Sequence, residues 1–148
     1  MNLGQPEEST FIREGKCLCG DVHFKAKLSG IDVGICHCHM CQKMSGGVFM
    51  SLAVDPAIEV LGNVEFSVYP SSSWGERLFC SSCGSSLGWR MRDGSMVYLS
   101  AAAFDDQSGF ELKSEIYYDE KPHFYEFANE TRKMTGKDIE ALFSNGGI

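Results

Sequence analysis

Gly15-Lys16-Cys17-Leu18-Cys19-Gly20-Asp21-Val22-His23-Phe24-Lys25-Ala26-Lys27-Leu28-Ser29-Gly30 is the stretch that decides the fold. Val22, Phe24, Ala26 and Leu28 alternate with Asp21, His23, Lys25 and Lys27. A period of two puts the four apolar side chains on one face of a strand, and Ser29-Gly30 ends it. Similar runs occupy Val48 to Val54, Ile58 to Leu61, Val64 to Tyr69, Arg77 to Phe79, Ser86 to Met91, Met96 to Ala101 and Glu111 to Tyr118. Asp55-Pro56, Gly62-Asn63, Asp93-Gly94 and Ser108-Gly109 punctuate them as turns. The pattern predicts an all-β, antiparallel body. One helix is expected near the end, where Thr135 and Asp138 form a T-x-x-D capping box ahead of an Ile139, Leu142 and Phe143 stripe, and Asn145-Gly146 would stop it.

Length and charge narrow the class. With 148 residues, 43% of them apolar, the chain is read as a single domain over residues 1–148. Against 13 Lys+Arg stand 20 Asp+Glu, for a net charge of -7, which disfavours nucleic acid as a partner. No apolar stretch is long enough for a membrane span, and the opening MNLGQPEEST lacks the basic start and apolar run of a signal peptide. The expected location is cytoplasmic, with no membrane association.

Seven cysteines cannot all pair, and a reducing cytosol would keep them as thiols. They fall in three clusters: Cys17 and Cys19; Cys36, Cys38 and Cys41; Cys80 and Cys83. C-x-x-C followed by glycine, as at Cys80 to Gly84, aims two sulfurs at one ion from a tight turn. Redox pairs share that spacing but sit at a helix start in a βαβ unit, whereas strands flank this one. Cys17 and Cys19 have two sulfurs to add, so Cys17, Cys19, Cys80 and Cys83 are expected to close a structural zinc site.

Cys36, Cys38 and Cys41 then make a second centre whose role turns on its fourth ligand. His37, His39 or His123 would close it; otherwise the position is open to substrate. Zinc with three thiolates carries about -1 charge, so it generates hydroxide poorly but can hold an incoming thiol as the reactive thiolate. A binding module with two closed zincs and a redox or metal-handling protein are the competing readings. Lys43, two residues past Cys41, is the expected substrate-binding cation, with Lys16 and Arg77 weaker candidates; Met40, Met44, Trp74 and Trp89 are expected to pack.

Gly15 to Phe24, Cys36-His37-Cys38-His39-Met40-Cys41-Gln42-Lys43-Met44-Ser45-Gly46, and Phe79-Cys80-Ser81-Ser82-Cys83-Gly84-Ser85-Ser86-Leu87 stand in that order. Together they resemble the glutathione-dependent formaldehyde-activating enzymes, whose domain is shared with centromere protein V. The resemblance implies a β-tent of zinc-bound antiparallel sheets, with a motif core of about 15–127. It also implies two zinc ions, a structural one on Cys17/Cys19/Cys80/Cys83 and a catalytic one on Cys36/Cys38/Cys41. The implied reaction joins a small-molecule thiol, glutathione in the family, to formaldehyde or another small aldehyde: a carbon-sulfur lyase run in reverse.

Overall fold

The alternation at residues 22–28 does become a strand. The computed structural model describes residues 11–144; the opening decapeptide and the Asn145-Gly146 stop lie outside them. Among the described residues the strands are β1 (Ile12–Lys16), β2 (His23–Lys27), β3 (Asp32–Cys36), β4 (Phe49–Val54), β5 (Glu59–Val60), β6 (Ser67–Pro70), β7 (Gly75–Phe79), β8 (Ser86–Met91), β9 (Val97–Ser100), β10 (Glu111–Ile116) and β11 (Arg132–Met134). Two α-helices, α1 (His39–Ser45) and α2 (Gly136–Ser144), accompany them. The fold is mostly β, with the expected short C-terminal helix. The chain divides into two compact units: the described residues up to Ile31 with Ser51–Gly109, and Asp32–Met50 with the residues from Phe110 onward.

The first unit is antiparallel throughout. β1, β2 and β5 pair in that spatial order, with Gly15 opposite Phe24 and Phe24 opposite Val60. β4, β9, β8, β7 and β6 follow one another as a second run. Val22, Phe24, Ala26 and Leu28 are all buried, as are Leu52 on β4, Leu78 on β7 and Leu99 on β9. Each large side chain so buried stabilises the fold by about 1.5–3 kcal/mol. The expected strand at Val64 starts only at Ser67; Phe66 lies before it, with its ring tilted against that of Phe24 and the centroids 5.5 Å apart.

In the second unit β10 lies between β3 and β11 and runs parallel to both, with Cys36 opposite Ile116 and Glu115 opposite Lys133. This departs from the antiparallel pattern of the first unit. Parallel neighbours need long connections, and residues 117–131 supply one between β10 and β11. Val33, Ile35 and Phe49 are buried here. The capping box of α2 forms as read: Thr135 N–H donates to Asp138 Oδ2 (2.9 Å) and Asp138 N–H to Thr135 Oγ1 (3.2 Å). Its apolar stripe is only partly covered, Leu142 being 43% exposed. Among the described residues no helix is long and apolar enough to cross a membrane.

Candidate metal centres

Two hairpin turns of the first unit carry four cysteines. At the first, Cys17 N–H donates to Val22 O (3.0 Å) and Val22 N–H donates back to Cys17 Sγ (3.3 Å). At the second, Cys80 N–H donates to Ser85 O (3.0 Å) and Gly84 N–H to Cys80 O (2.8 Å), while Cys83 N–H approaches Cys80 Sγ at 3.5 Å. Both turns need a residue in the left-handed region, and Gly20 and Gly84 supply it at φ 84° and 80°. The four sulfurs lie within 4.8 Å of one another. Cys17 and Cys80 are buried and Cys19 is exposed.

Ser85 braces this centre. Its hydroxyl accepts from Leu18 N–H and stands 3.1 Å from Cys83 Sγ. That hydroxyl, then the Ser85 amide, lowers the Cys83 thiol pKa to about 5. The amide of Asp21 pulls Cys19 the same way, but desolvation and the neighbouring sulfurs of Cys17, Cys83 and Cys80 win and push it up to about 12. Four sulfurs this close cannot all ionise unless a cation joins them. Soft thiolates in a tetrad are the donor set of a closed structural site.

The second unit assembles the other three. Cys36 ends β3; Cys38 is the N-cap of α1, its Sγ accepting from Cys41 N–H at 3.3 Å; Cys41 is buried in the first turn. Gly46 ends the helix at φ 70°. The three sulfurs also lie within 4.8 Å of one another. Hydrogen bonds with Cys38 and Cys41, then burial, drive the Cys36 thiol far above its ordinary range, so this donor set likewise fits a soft cation.

None of the three candidate histidines joins the trio. His37 is buried with its Nε2 on Glu115 Oε1 at 2.8 Å; His39 is 70% exposed in its side chain, 3.4 Å from Glu120; His123 is exposed. Among the described residues no His, Asp, Glu or further Cys brings a ligand atom within 4.8 Å of all three sulfurs.

Several neighbours of the trio were invisible to spacing. Gln42 Nε2 donates to His37 O (2.6 Å) and Glu120 O (3.0 Å), and His39 N–H donates to Glu120 Oε1 (3.0 Å). Glu115 is wholly buried; hydrogen bonds from Thr131 and His37 outweigh the desolvation that opposes them and hold its carboxyl below the usual range. Tyr117, which follows the partner of Cys36, is the one non-glycine residue with positive φ among the described residues, at 53°. Such backbone costs about 1–3 kcal/mol and collects at functional sites. A helix signal at 39–45 was present: Met40, Gln42, Lys43 and Met44 are helix formers running into Gly46-Gly47.

Lys43 is exposed on α1, two residues past the buried Cys41. Lys16 is exposed beside Asp105 (3.7 Å), and Arg77 is buried at 3% exposure, its Nε on Ser71 Oγ. Met40 and Trp74 are exposed rather than packed inside, at 40% and 45%. Trp74 instead meets Trp89 edge-on, with ring centroids 5.7 Å apart.

An uncharacterized lyase of Schizosaccharomyces pombe is 32% identical over 127 residues, spanning 85% of this chain and 93% of that protein. A crystal structure of a Rhodobacter sphaeroides protein shares the fold with a TM-score of 0.54 at 19% identity, covering 62% of this chain and 87% of that one. The family model described as glutathione-dependent formaldehyde-activating enzyme matches residues 12–120, a span that holds all seven cysteines. The chain belongs to the glutathione-dependent formaldehyde-activating enzyme family.

Proposed function

We propose that this protein is a zinc-dependent enzyme of carbon-sulfur lyase type that joins a small thiol, glutathione or a relative of it, to formaldehyde or another small aldehyde. The observation that carries the reading is the trio Cys36, Cys38 and Cys41: three converging sulfurs with no fourth protein ligand of the usual kinds among the described residues. The tetrad Cys17, Cys19, Cys80 and Cys83 is the structural centre in this reading and the trio is the catalytic one.

Zinc held by three thiolates supplies a Lewis-acid position that favours thiolate over thiol near neutral pH while activating water poorly. The chain's own part is placement. Cys38 is fixed by the Cys41 amide, Cys41 is buried in α1, and Cys36 is fixed by strand pairing with Ile116. In the overall reaction the thiol sulfur bonds to the carbonyl carbon, the carbon-oxygen π pair moves to oxygen, and that oxygen gains a proton as the thiol loses one. Lys43 is the cation assigned to a carboxylate of the thiol substrate. That the Schizosaccharomyces pombe relative is named a lyase supports the reaction class.

Thiols add to formaldehyde without help, so the test is a rate rather than an equilibrium. Exchange NMR on glutathione and labelled formaldehyde should show faster interconversion of free and S-hydroxymethyl forms with zinc-loaded protein, and no acceleration with Cys38→Ser. Equal exchange rates with and without protein, for glutathione and other small thiols alike, would refute the reading.

A further inference from the structure

His37 stands between two of the three cysteines in the chain, and its own contacts hold it from four directions. Its N–H donates to Ile116 O at 3.0 Å, its carbonyl accepts from Gln42 Nε2 at 2.6 Å, and its Nε2 pairs with Glu115 Oε1 at 2.8 Å. The rings of Tyr118, Tyr125 and Phe127 surround the imidazole with centroids 6.1, 6.4 and 6.3 Å away. Glu115 is anchored in turn: Thr131 Oγ1 donates to its Oε2, and Lys133 Nζ lies 3.7 Å from the same oxygen. His37 and Glu115 are 1% and 0% exposed.

Stability alone does not account for such a pair. Burying two polar, chargeable groups costs several kcal/mol, and apolar residues of similar size commonly do as well or better. What an apolar pair lacks is direction: a hydrogen bond fixes the rotation and position of the residue that makes it. Residues behind metal ligands act in this way, orienting the ligands without touching the ion. We infer that the buried His37 and Glu115, with the half-buried Thr131 behind them, form a positioning chain that holds Cys36 and Cys38 at metal-ready separation. His37 is thus a positioning residue and not the fourth ligand. This inference rests on the proposed metal binding by the trio.

The test measures the affinity of the second metal in the full chain, by competition with a chromophoric chelator and by the thiolate-to-metal absorption of the Co²⁺-substituted protein. The tetrad serves as internal control. The double variant His37→Leu/Glu115→Met removes both buried polar partners at once, so it should fold and keep the tetrad's metal. It is expected to bind the second metal about 10–100-fold more weakly, with altered cobalt absorption. Glu115→Gln keeps an acceptor for His37 and should restore most of the affinity. A double variant that binds both metals like the wild type, with the same spectrum, overturns the inference and leaves the proposed function standing. Wild-type protein that takes up only one metal overturns the function as well. If the double variant does not fold, Thr131→Val carries the test: severalfold weaker second-metal binding supports the chain, and unchanged binding overturns it.

Discussion

The two centres use one side chain on different plans. The tetrad hangs from two hairpin turns, each closed by backbone hydrogen bonds and a left-handed glycine, and it meets its ligand count from its own chain. The trio joins a strand end to a helix cap, stops at three sulfurs, and has among its residues a buried histidine, His37, that pairs with Glu115 of β10. A closed set suits an ion that holds the fold together, while a set of three leaves a coordination position for substrate. In the proposed reading, ligand number rather than ligand type separates a structural from a catalytic centre.

Removing a ligand from each centre tests that division most severely. Cys80 is fully buried in the tetrad. A structural metal contributes about 10–16 kcal/mol, against a usual net stability of about 5–15 kcal/mol. Cys80→Ser should therefore lose the fold, seen as collapse of circular dichroism; a variant melting like the wild type would break the comparison. Cys38→Ser should do the opposite. Serine is itself a good N-cap, so α1 survives, while turnover falls by roughly 10²-fold or more through the displaced ligand. Graded chelation sharpens the same contrast: the first metal equivalent should leave with activity but without a change in melting temperature, and the second only with unfolding.

Smaller effects follow at the margins. Gly84→Ala places a side chain at φ 80°, which should cost about 1–2 kcal/mol of stability and leave turnover per folded molecule unchanged. Lys43→Ala should leave melting unchanged and raise KM by about fivefold or less, because an exposed charge contact is worth about 1 kcal/mol at most. An effect of Gly84→Ala on kcat, or of Lys43→Ala on stability, would blur the separation of the two centres.

Where the sequence was legible, the reason is local. Alternation from Val22 to Leu28 and the C-x-x-C-G turn at Cys80 both act over a few residues, and both appear as read. β3 was hidden because Asp32–Cys36 is short and ends in a cysteine of the metal cluster, although Val33 and Ile35 do alternate toward the core. β11 has only three residues and takes its structure from pairing with β10. His37 reads as a candidate ligand in the sequence because its neighbours along the chain are cysteines. Glu115, the residue that engages it, lies 78 positions away. Lys43 is near Cys41 along the chain, and the helix that carries both turns successive side chains through about 100°, a rotation that spacing alone does not report.

A thiol titration of Co²⁺-substituted protein asks directly whether the trio has room for an exchangeable sulfur ligand. The visible absorption of one of two bound cobalt ions is expected to change saturably as thiol is added, and not to change in Cys38→Ser. An absorption spectrum that stays fixed at every thiol concentration, with both ions bound, would contradict the exchangeable position.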